Sequence, residues 1–159
     1  MIPMDTTQGF TIVRQYDAAP EQVWQAWTDP DQAALWWHPR GLRIPRESVI
    51  LDVRVGGRYT YTMVREDTGE EFVTAGVYRE VVPCERLVFT WGEADDDPED
   101  APVVALTLEP ADGGTRLTFE LRGVQGSPGD DYVYDGWDQA LEILAELLHD
   151  NPRGGTLRG

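Results

Sequence analysis

The feature that most constrains this chain is a change in the spacing of its apolar residues. Between residues 48 and 121 apolar side chains recur at every second position, and turn residues interrupt the pattern at intervals. That spacing is typical of β-strands joined by hairpins. Helical spacing occurs before and after this region, so strands and helices occupy separate stretches. Because a doubly wound parallel sheet needs strands and helices to alternate, the sequence predicts an α+β fold with a largely antiparallel sheet.

The period-two pattern predicts a curved sheet of about six to seven strands. The first strand lies before the helices, and the others follow between turns rich in glycine, aspartate and proline. The predicted strands cover residues 10–17, 49–53, 59–63, 72–82, 87–91, 103–108 and 117–121.

Two short helices are predicted after the first strand. Pro20 suits a first helical position, and Thr28-Asp29-Pro30 ends the first helix and caps the second, which extends to about Trp37. A long helix is predicted from about Asp130 to His149, and we expect it to cross the concave side of the sheet. Its predicted inner face consists of Val133, Trp137, Ala140, Leu141, Leu144 and Leu148.

Gly136 interrupts the predicted inner helix, where glycine costs about 1 kcal/mol relative to alanine. This placement predicts the close approach of another backbone.

The length of 159 residues fits one domain with a sizeable core. No repeat or Pro-rich linker divides the chain, so we predict a lead at residues 1–9, the domain at 10–150 and a flexible tail at 151–159. The acidic run at residues 93–100 is expected to be a solvated loop.

The charge and composition of the chain limit which partners it can bind and which cellular compartment it can occupy. The 29 acidic and 13 basic residues give a net charge of −16, which disfavours nucleic acid. No apolar run reaches the roughly 18 residues of a membrane span, and the N-terminus lacks a signal-peptide pattern. Since the only cysteine is Cys84, no internal disulfide is possible. We expect a cytoplasmic protein.

Several motifs occur in an order that resembles a known family. The strings VWQAWTDPDQAALWWHP, VRVGGRYTY, GVYREVVPCERLVFTW and GGTRLTF follow one another, and GW then precedes the leucine-rich helix. This set resembles the activator of heat-shock protein 90 ATPase homologue family, in the START-like (SRPBCC) helix-grip superfamily, over residues 10–148. The resemblance implies a helix-grip fold with a cavity between the sheet and the C-terminal helix.

The superfamily includes lipid carriers, polyketide cyclases and stress sensors, so the fold alone does not fix a function. We expect a small hydrophobic or aromatic molecule to bind in the cavity, without a cofactor and in a monomer or homodimer. Apolar pockets with a few polar groups are typical of such sites. The candidate ligand-binding residues are Trp37, His38, Tyr59, Tyr61, Tyr78, Phe89, Trp91, Trp137 and Leu141.

Two alternatives to simple binding stay open. The family resemblance alone suggests a stress-related co-chaperone that regulates a chaperone ATPase. The eukaryotic activators carry an additional N-terminal region, whereas this chain begins nine residues before its first predicted strand. This difference favours small-molecule binding over the co-chaperone role. The second alternative is a polyketide cyclase-like or hydrolase-like enzyme, which needs a buried acid or base.

Neither a catalytic residue nor a metal site is predicted. His38 lies near the expected cavity, where a histidine could orient a ligand or serve as a base, but a position after the second helix suits it as a helix-terminal residue. His149 is far away in sequence and no ordered carboxylate lies between the two. Asp52 and Arg54 are expected to form a solvent-side pair.

Overall fold

The computed structural model describes residues 9–93, 97, 99, 101–130 and 133–150. Residues 149 and 150 are described by their backbone only. The predicted tail at 151–159, all of the predicted lead except Gly9, and most of the acidic run lie outside the described residues. Within the described part, no helix is long and apolar enough to cross a membrane.

Eight strands and three α-helices make up the described structure, in an order that confirms the α+β prediction. In chain order they are β1 (Gly9–Tyr16), α1 (Pro20–Thr28), α2 (Pro30–Trp36), β2 (Leu42–Arg43), β3 (Ile50–Leu51), β4 (Arg58–Arg65), β5 (Glu71–Val82), β6 (Arg86–Thr90), β7 (Val103–Ala111), β8 (Gly114–Arg122) and α3 (Val133–Asp150). A short 3-10 helix, Arg46–Ser48, precedes β3.

All strand pairs are antiparallel, in the order β1-β8-β7-β6-β5-β4, and β2 and β3 both pair with β4. β5 pairs with β4 through Val77 and with β6 from Tyr78 onward, and its register with β6 shifts between Tyr78 and Glu80. Such a bulge bends a strand and increases its twist. The sheet is therefore curved, as predicted.

The two short helices form because their ends are capped locally. Pro20 opens α1, and the Gln22 side chain accepts a hydrogen bond from the Ala19 N–H at 3.0 Å. Asp29 ends α1 and caps α2, since its carboxylate accepts from the Asp31 N–H at 3.2 Å. The predicted role of Thr28-Asp29-Pro30 as a stop followed by a cap is confirmed.

Helix α3 covers the apolar face of the sheet. Asp130 precedes it and accepts hydrogen bonds from the N–H groups of Tyr134 and Asp135, both at 3.1 Å. Its outer face makes ion pairs with Arg14, through Asp138, and with Arg40, through Glu146 at 2.7 Å. The first pair is partly exposed and the second exposed, so each contributes on the order of 1 kcal/mol or less. The six residues of the predicted inner face are all buried: Val133, Trp137, Ala140, Leu141, Leu144 and Leu148.

The predicted strand at 49–53 is shorter in the structure. Only Ile50 and Leu51 pair with β4, and residues 52–57 form a loop. The reason is that this loop bonds to β5 instead: Gly56 N–H donates to the Tyr78 carbonyl, and Tyr78 N–H donates to the Gly57 carbonyl, both at 2.9 Å. The two-residue strand β2 had no signal in the sequence, because so short a run shows no periodicity.

Within this loop, the predicted solvent-side pair is confirmed. The Arg54 guanidinium lies 3.0 Å from the Asp52 carboxylate, and both side chains are exposed.

Gly136 does not mark a close approach of another backbone, contrary to the sequence prediction. A Cβ added there would lie 3.9 Å from the Pro39 side chain, which is ordinary van der Waals contact. Gly76 is one of several glycines that are crowded, and it lies beside the candidate site. A Cβ there would lie 2.0 Å from the Thr90 carbonyl oxygen and 2.6 Å from the Tyr59 ring. The absence of a side chain on Gly76 lets the opposing Tyr59 ring lie against β5.

These two glycines give a matched test of the packing. We expect Gly136→Ala to raise the free energy of unfolding by up to about 1 kcal/mol, since it only improves helix propensity. We expect Gly76→Ala to lower it by about 1–3 kcal/mol, because the new methyl group displaces Tyr59 or the Thr90 backbone. Urea unfolding at unchanged slope measures both. Equal destabilisation by the two changes would contradict this packing.

Candidate functional site

An aromatic cluster lies where the sheet meets the three helices. We use this name for nine connected rings, which the rings of Trp36 and Phe10 border. The nine are Trp27, Trp37, Tyr59, Tyr61, Tyr78, Phe89, Trp91, Phe119 and Trp137. All except Trp91 are more than nine-tenths buried. The cluster is therefore part of the core as well as the candidate site.

The sheet side of the cluster is built on β4, β5 and β6. Tyr59 and Tyr61 alternate along β4, so both rings point to the same face. Trp37, which follows α2, stacks on both: its ring centroid lies 4.4 Å from Tyr61 and 5.3 Å from Tyr59. Phe89 from β6 meets Tyr59 edge to face at 5.4 Å and Tyr78 at 6.2 Å. Both offset stacking and edge-to-face contact are favourable geometries for aromatic pairs.

The helix side of the cluster centres on Trp137 from α3. Its ring lies 4.7 Å from Phe119 on β8, 5.4 Å from Trp91 and 6.4 Å from Trp27 on α1, with which it is stacked. Leu141 follows one turn later on α3 and is fully buried. α3 thus brings one wall of the site to the sheet.

Most of the predicted site residues come together in the structure. The predicted rings Trp37, Tyr59, Tyr61, Tyr78, Phe89, Trp91 and Trp137 all belong to the cluster, and Leu141 lies beside Trp137 on the inner face of α3. His38 is placed differently: it is half-buried, and its Nδ1 lies 2.8 Å from the Pro39 carbonyl oxygen. Since a carbonyl only accepts, Nδ1 carries the proton in this contact. Whether these residues bind a ligand stays a prediction.

Two members of the cluster were missed by sequence reasoning. The sequence shows an apolar stripe of Val23, Trp24 and Trp27 at helical spacing in the first predicted helix, but it gave Trp27 no role in the site. Phe119 was assigned only to a strand. The signal for Trp27 was that stripe, because the inner face of α1 contacts α3 as well as the sheet. Phe119 had no separate signal, since every buried strand of this protein carries large apolar residues.

Several polar groups in and around the cluster are hydrogen-bonded to the backbone. The Tyr59 hydroxyl donates to the Thr90 carbonyl at 2.6 Å, and the Tyr16 hydroxyl donates to the Leu141 carbonyl at 3.1 Å. The Trp36 indole N–H donates to the Ala26 carbonyl at 2.8 Å. The fold therefore pairs buried donors with carbonyls where it brings the two together, as folded proteins generally do.

Four buried polar atoms in the cluster have no hydrogen-bond partner among the described residues. They are the indole Nε1 atoms of Trp27, Trp37 and Trp137 and the hydroxyl oxygen of Tyr78. Leaving a buried donor without a partner costs about 1–3 kcal/mol. Four such groups in one connected cluster are therefore a feature that requires a physical explanation.

The electrostatic setting of the cluster is neutral. Among the described residues the buried polar side chains are Gln22, Thr74, Thr90 and Thr115, and no charged side chain is buried. No group of three His, Cys, Asp or Glu side chains comes together as metal ligands in the part of the chain that the structure describes.

Burial raises the pKa of each tyrosine in the cluster, because it penalises the phenolate. The pKa of Tyr59 is raised further by its tyrosine neighbours, and that of Tyr78 by the charge of Asp52. For Tyr61, a hydrogen bond with the Thr74 side chain lowers the pKa and partly opposes the effect of burial. These three phenols therefore stay protonated well above neutral pH.

A family model for the Activator of Hsp90 ATPase homolog 1-like protein matches residues 17–149. The chain belongs to this family. The resemblance in the sequence motifs is thereby confirmed. No curated protein matches the chain.

Solved structures of similar proteins share the fold. A crystal structure of a protein from Chromobacterium violaceum is 30% identical and superposes with a TM-score of 0.76, covering 88% of this chain and 96% of that one. The AHSA1 protein from Silicibacter pomeroyi is 29% identical with a TM-score of 0.71, covering 89% and 97%. A Mesorhizobium loti protein is 27% identical with a TM-score of 0.69, covering 92% and 100%. The predicted helix-grip architecture is confirmed.

The unpaired hydroxyl of Tyr78 predicts an unusual mutational result. We expect Tyr59→Phe to lower the free energy of unfolding by about 1–2 kcal/mol, since it removes a bond to the Thr90 carbonyl. We expect Tyr78→Phe to leave the free energy unchanged or to raise it by up to about 1 kcal/mol, because it removes a buried group without a partner. Urea denaturation of the ligand-free variants measures the difference, and equal losses would refute the assignment of Tyr78.

The raised tyrosine pKa values predict a loss of stability at alkaline pH. In the unfolded chain a tyrosine ionises near its ordinary pKa of 10.0, whereas in the folded protein Tyr16, Tyr61 and Tyr78 hold their protons to higher pH. Below pH 10 both states are protonated and this effect is absent. Above it the unfolded state loses protons first, so stability falls, by up to about 1.4 kcal/mol per pH unit for each tyrosine.

Urea midpoints measured from pH 8 to pH 11.5 test this expectation. We expect Tyr61→Phe to lose less stability per pH unit than the parent above pH 10, because one buried phenol is gone. An identical slope in both proteins would contradict the role of Tyr61.

Proposed function

We propose that the protein binds a small apolar or aromatic molecule between the sheet and α3, in contact with the aromatic cluster. The observation that carries this proposal is the set of four buried polar atoms in the cluster without a partner among the described residues. Core residues that only fill space do not need N–H or hydroxyl groups, and isolated burial of such groups is unfavourable. A bound molecule that meets these groups would account for their retention.

The composition of the cluster suits an apolar guest. Trp37 and Tyr61 stack on one another at 4.4 Å, and Trp137 and Leu141 are buried on the inner face of α3. Small-molecule sites in proteins are mostly apolar with a few polar groups that orient the ligand. Trp91 is the half-buried member of the cluster, so we place the entrance beside it, where β6 has ended.

Binding without chemistry is the simplest activity for this arrangement. The phenols of the cluster stay protonated, and His38 faces the Pro39 carbonyl rather than a carboxylate. A hydrolase or cyclase needs an acid and a base whose pKa values suit proton transfer near neutral pH. The chaperone alternative rests on the family name alone, and no contact or surface of the described residues favours it.

The first test is native mass spectrometry of protein purified gently from its own host, followed by denaturation to release any bound molecule. We expect an apolar adduct at one molecule per chain. Titration with 2-ethylnaphthalene, followed by calorimetry, then measures affinity for a defined aromatic probe.

A matched pair of tryptophan variants locates the binding. We expect Trp37→Phe to weaken binding of 2-ethylnaphthalene about tenfold, because a stacking surface of the cluster is lost. We expect Trp24→Phe, the same change on α1 at a half-buried ring outside the cluster, to leave the affinity unchanged. Equal effects of the two changes would refute the proposal. It would also be refuted if native mass spectrometry showed no adduct and the protein did not bind 2-ethylnaphthalene.

A further inference from the structure

We infer that the bound molecule is uncharged and carries hydrogen-bond acceptors, such as carbonyl oxygens, on its apolar frame. This inference rests on the proposed function and specifies the ligand of the same site. It follows from which groups of the cluster lack partners, from where they lie, and from the charge around them.

The unpartnered groups call for an acceptor. An indole Nε1–H can only donate, so Trp27, Trp37 and Trp137 cannot be met by another donor. The Tyr78 hydroxyl can donate as well. None of the four groups is only an acceptor. A hydrocarbon would therefore form no hydrogen bond with any of them, and an alcohol could accept from them only through its oxygen. A carbonyl oxygen, with two lone pairs, suits two such donors at once.

The four donors come from four different elements around one cluster. Trp27 lies on α1, Trp37 follows α2, Tyr78 lies on β5 and Trp137 lies on α3. The Trp27 ring contacts Trp37 at 5.9 Å and Trp137 at 6.4 Å, and Phe89 links Trp37 to Tyr78 through contacts of 5.8 and 6.2 Å. The four side chains that carry these donors are therefore linked by aromatic contacts, so one guest at the cluster can touch more than one of them.

The neighbouring donors rule out poor packing as the general cause. Trp36 stands next to Trp37 in the chain, yet its indole N–H donates to the Ala26 carbonyl. Tyr59 contacts Tyr78 at 5.6 Å, yet its hydroxyl donates to the Thr90 carbonyl. Paired and unpaired donors thus lie side by side in the same packed region, and the four unpaired ones are members of the cluster.

The electrostatic surroundings favour a neutral guest over an anion. No charged side chain is buried among the described residues, so a carboxylate would lack a counter-charge, and burying an unpaired ion is expensive. The charged groups that act on the nearby phenols are the carboxylate of Asp52 at Tyr78, and both the Arg14 guanidinium and the Glu142 carboxylate at Tyr16. With a net charge of −16, the protein repels anions further.

Three probes that share a naphthalene frame separate these properties. 2-Ethylnaphthalene has no acceptor, 2-acetylnaphthalene adds a neutral carbonyl, and 2-naphthoate has nearly the same shape with a negative charge. One good hydrogen bond corresponds to about fivefold in affinity. We expect calorimetry to show the ketone binding at least about fivefold more tightly than the hydrocarbon, and the carboxylate binding more weakly than the ketone.

Nuclear magnetic resonance reports on the donors themselves. The six tryptophans give six indole N–H signals in a nitrogen-15 spectrum. We expect the ketone, and not the hydrocarbon, to shift the signal of Trp27, Trp37 or Trp137 downfield, as a new hydrogen bond does. The Trp36 signal is the internal reference, because its N–H is already bonded to the Ala26 carbonyl.

Variants then assign the preference to individual donors. We expect Trp137→Phe or Tyr78→Phe to reduce the ratio of ketone to hydrocarbon affinity about fivefold. The change in side-chain volume affects the binding of both probes equally, whereas the loss of the donor weakens only the ketone. Tyr78→Phe removes the hydroxyl without opening a cavity, so it stays informative if Trp137→Phe folds poorly. Trp24→Phe is the control and should leave the ratio unchanged.

The outcomes distinguish the two proposals. If ketone and hydrocarbon bind equally well, the site is real but its donors are met by water, and the inference is wrong. Tightest binding of the carboxylate would overturn the claim of neutrality. If none of the three probes binds, the inference fails, and if native mass spectrometry also shows no adduct, the proposed function fails with it.

Discussion

The architecture depends on one constraint, which is that an antiparallel sheet with one apolar face needs a second layer to exclude water. Leu117, Phe119 and Leu121 on β8 alternate toward that face and are fully buried. Leu141 and Leu144 of α3 are fully buried against the same core. Helix α3 is the long element that supplies the cover, while α1 and α2 pack beside it. The aromatic cluster lies at this junction because every layer contributes to it.

Periodicity was sufficient to predict the large elements. The spacing of two from residue 48 to 121 identified the hairpins, and the burial of Trp137, Leu141 and Leu148 follows the helical spacing of the C-terminal segment. Eight of the nine predicted site residues lie in or beside the aromatic cluster for the same reason, since large aromatic side chains on inward positions of a sheet meet the covering helix.

What the sequence could not predict depends on contacts between distant segments. The loop at 52–57 leaves the sheet because its backbone bonds to Tyr78, a partner more than twenty residues away in the chain. The same limit applies to hydrogen bonding in the core. Trp36 and Trp37 are adjacent and chemically identical, yet one indole N–H meets the Ala26 carbonyl and the other meets no described residue. Only the packed structure distinguishes them.

The pairing of β1 with β8 has a consequence for biosynthesis. Gly9 pairs with Arg122 and Tyr16 with Thr115, so β1 can join the sheet only after β8 has been synthesised. A protein of such high contact order folds slowly, because closing long loops is entropically unfavourable. On the ribosome, Trp27 and Trp37 emerge long before α3, which later covers them. The nascent chain therefore exposes aromatic side chains to water for most of its synthesis. At this stage aggregation competes most strongly with folding.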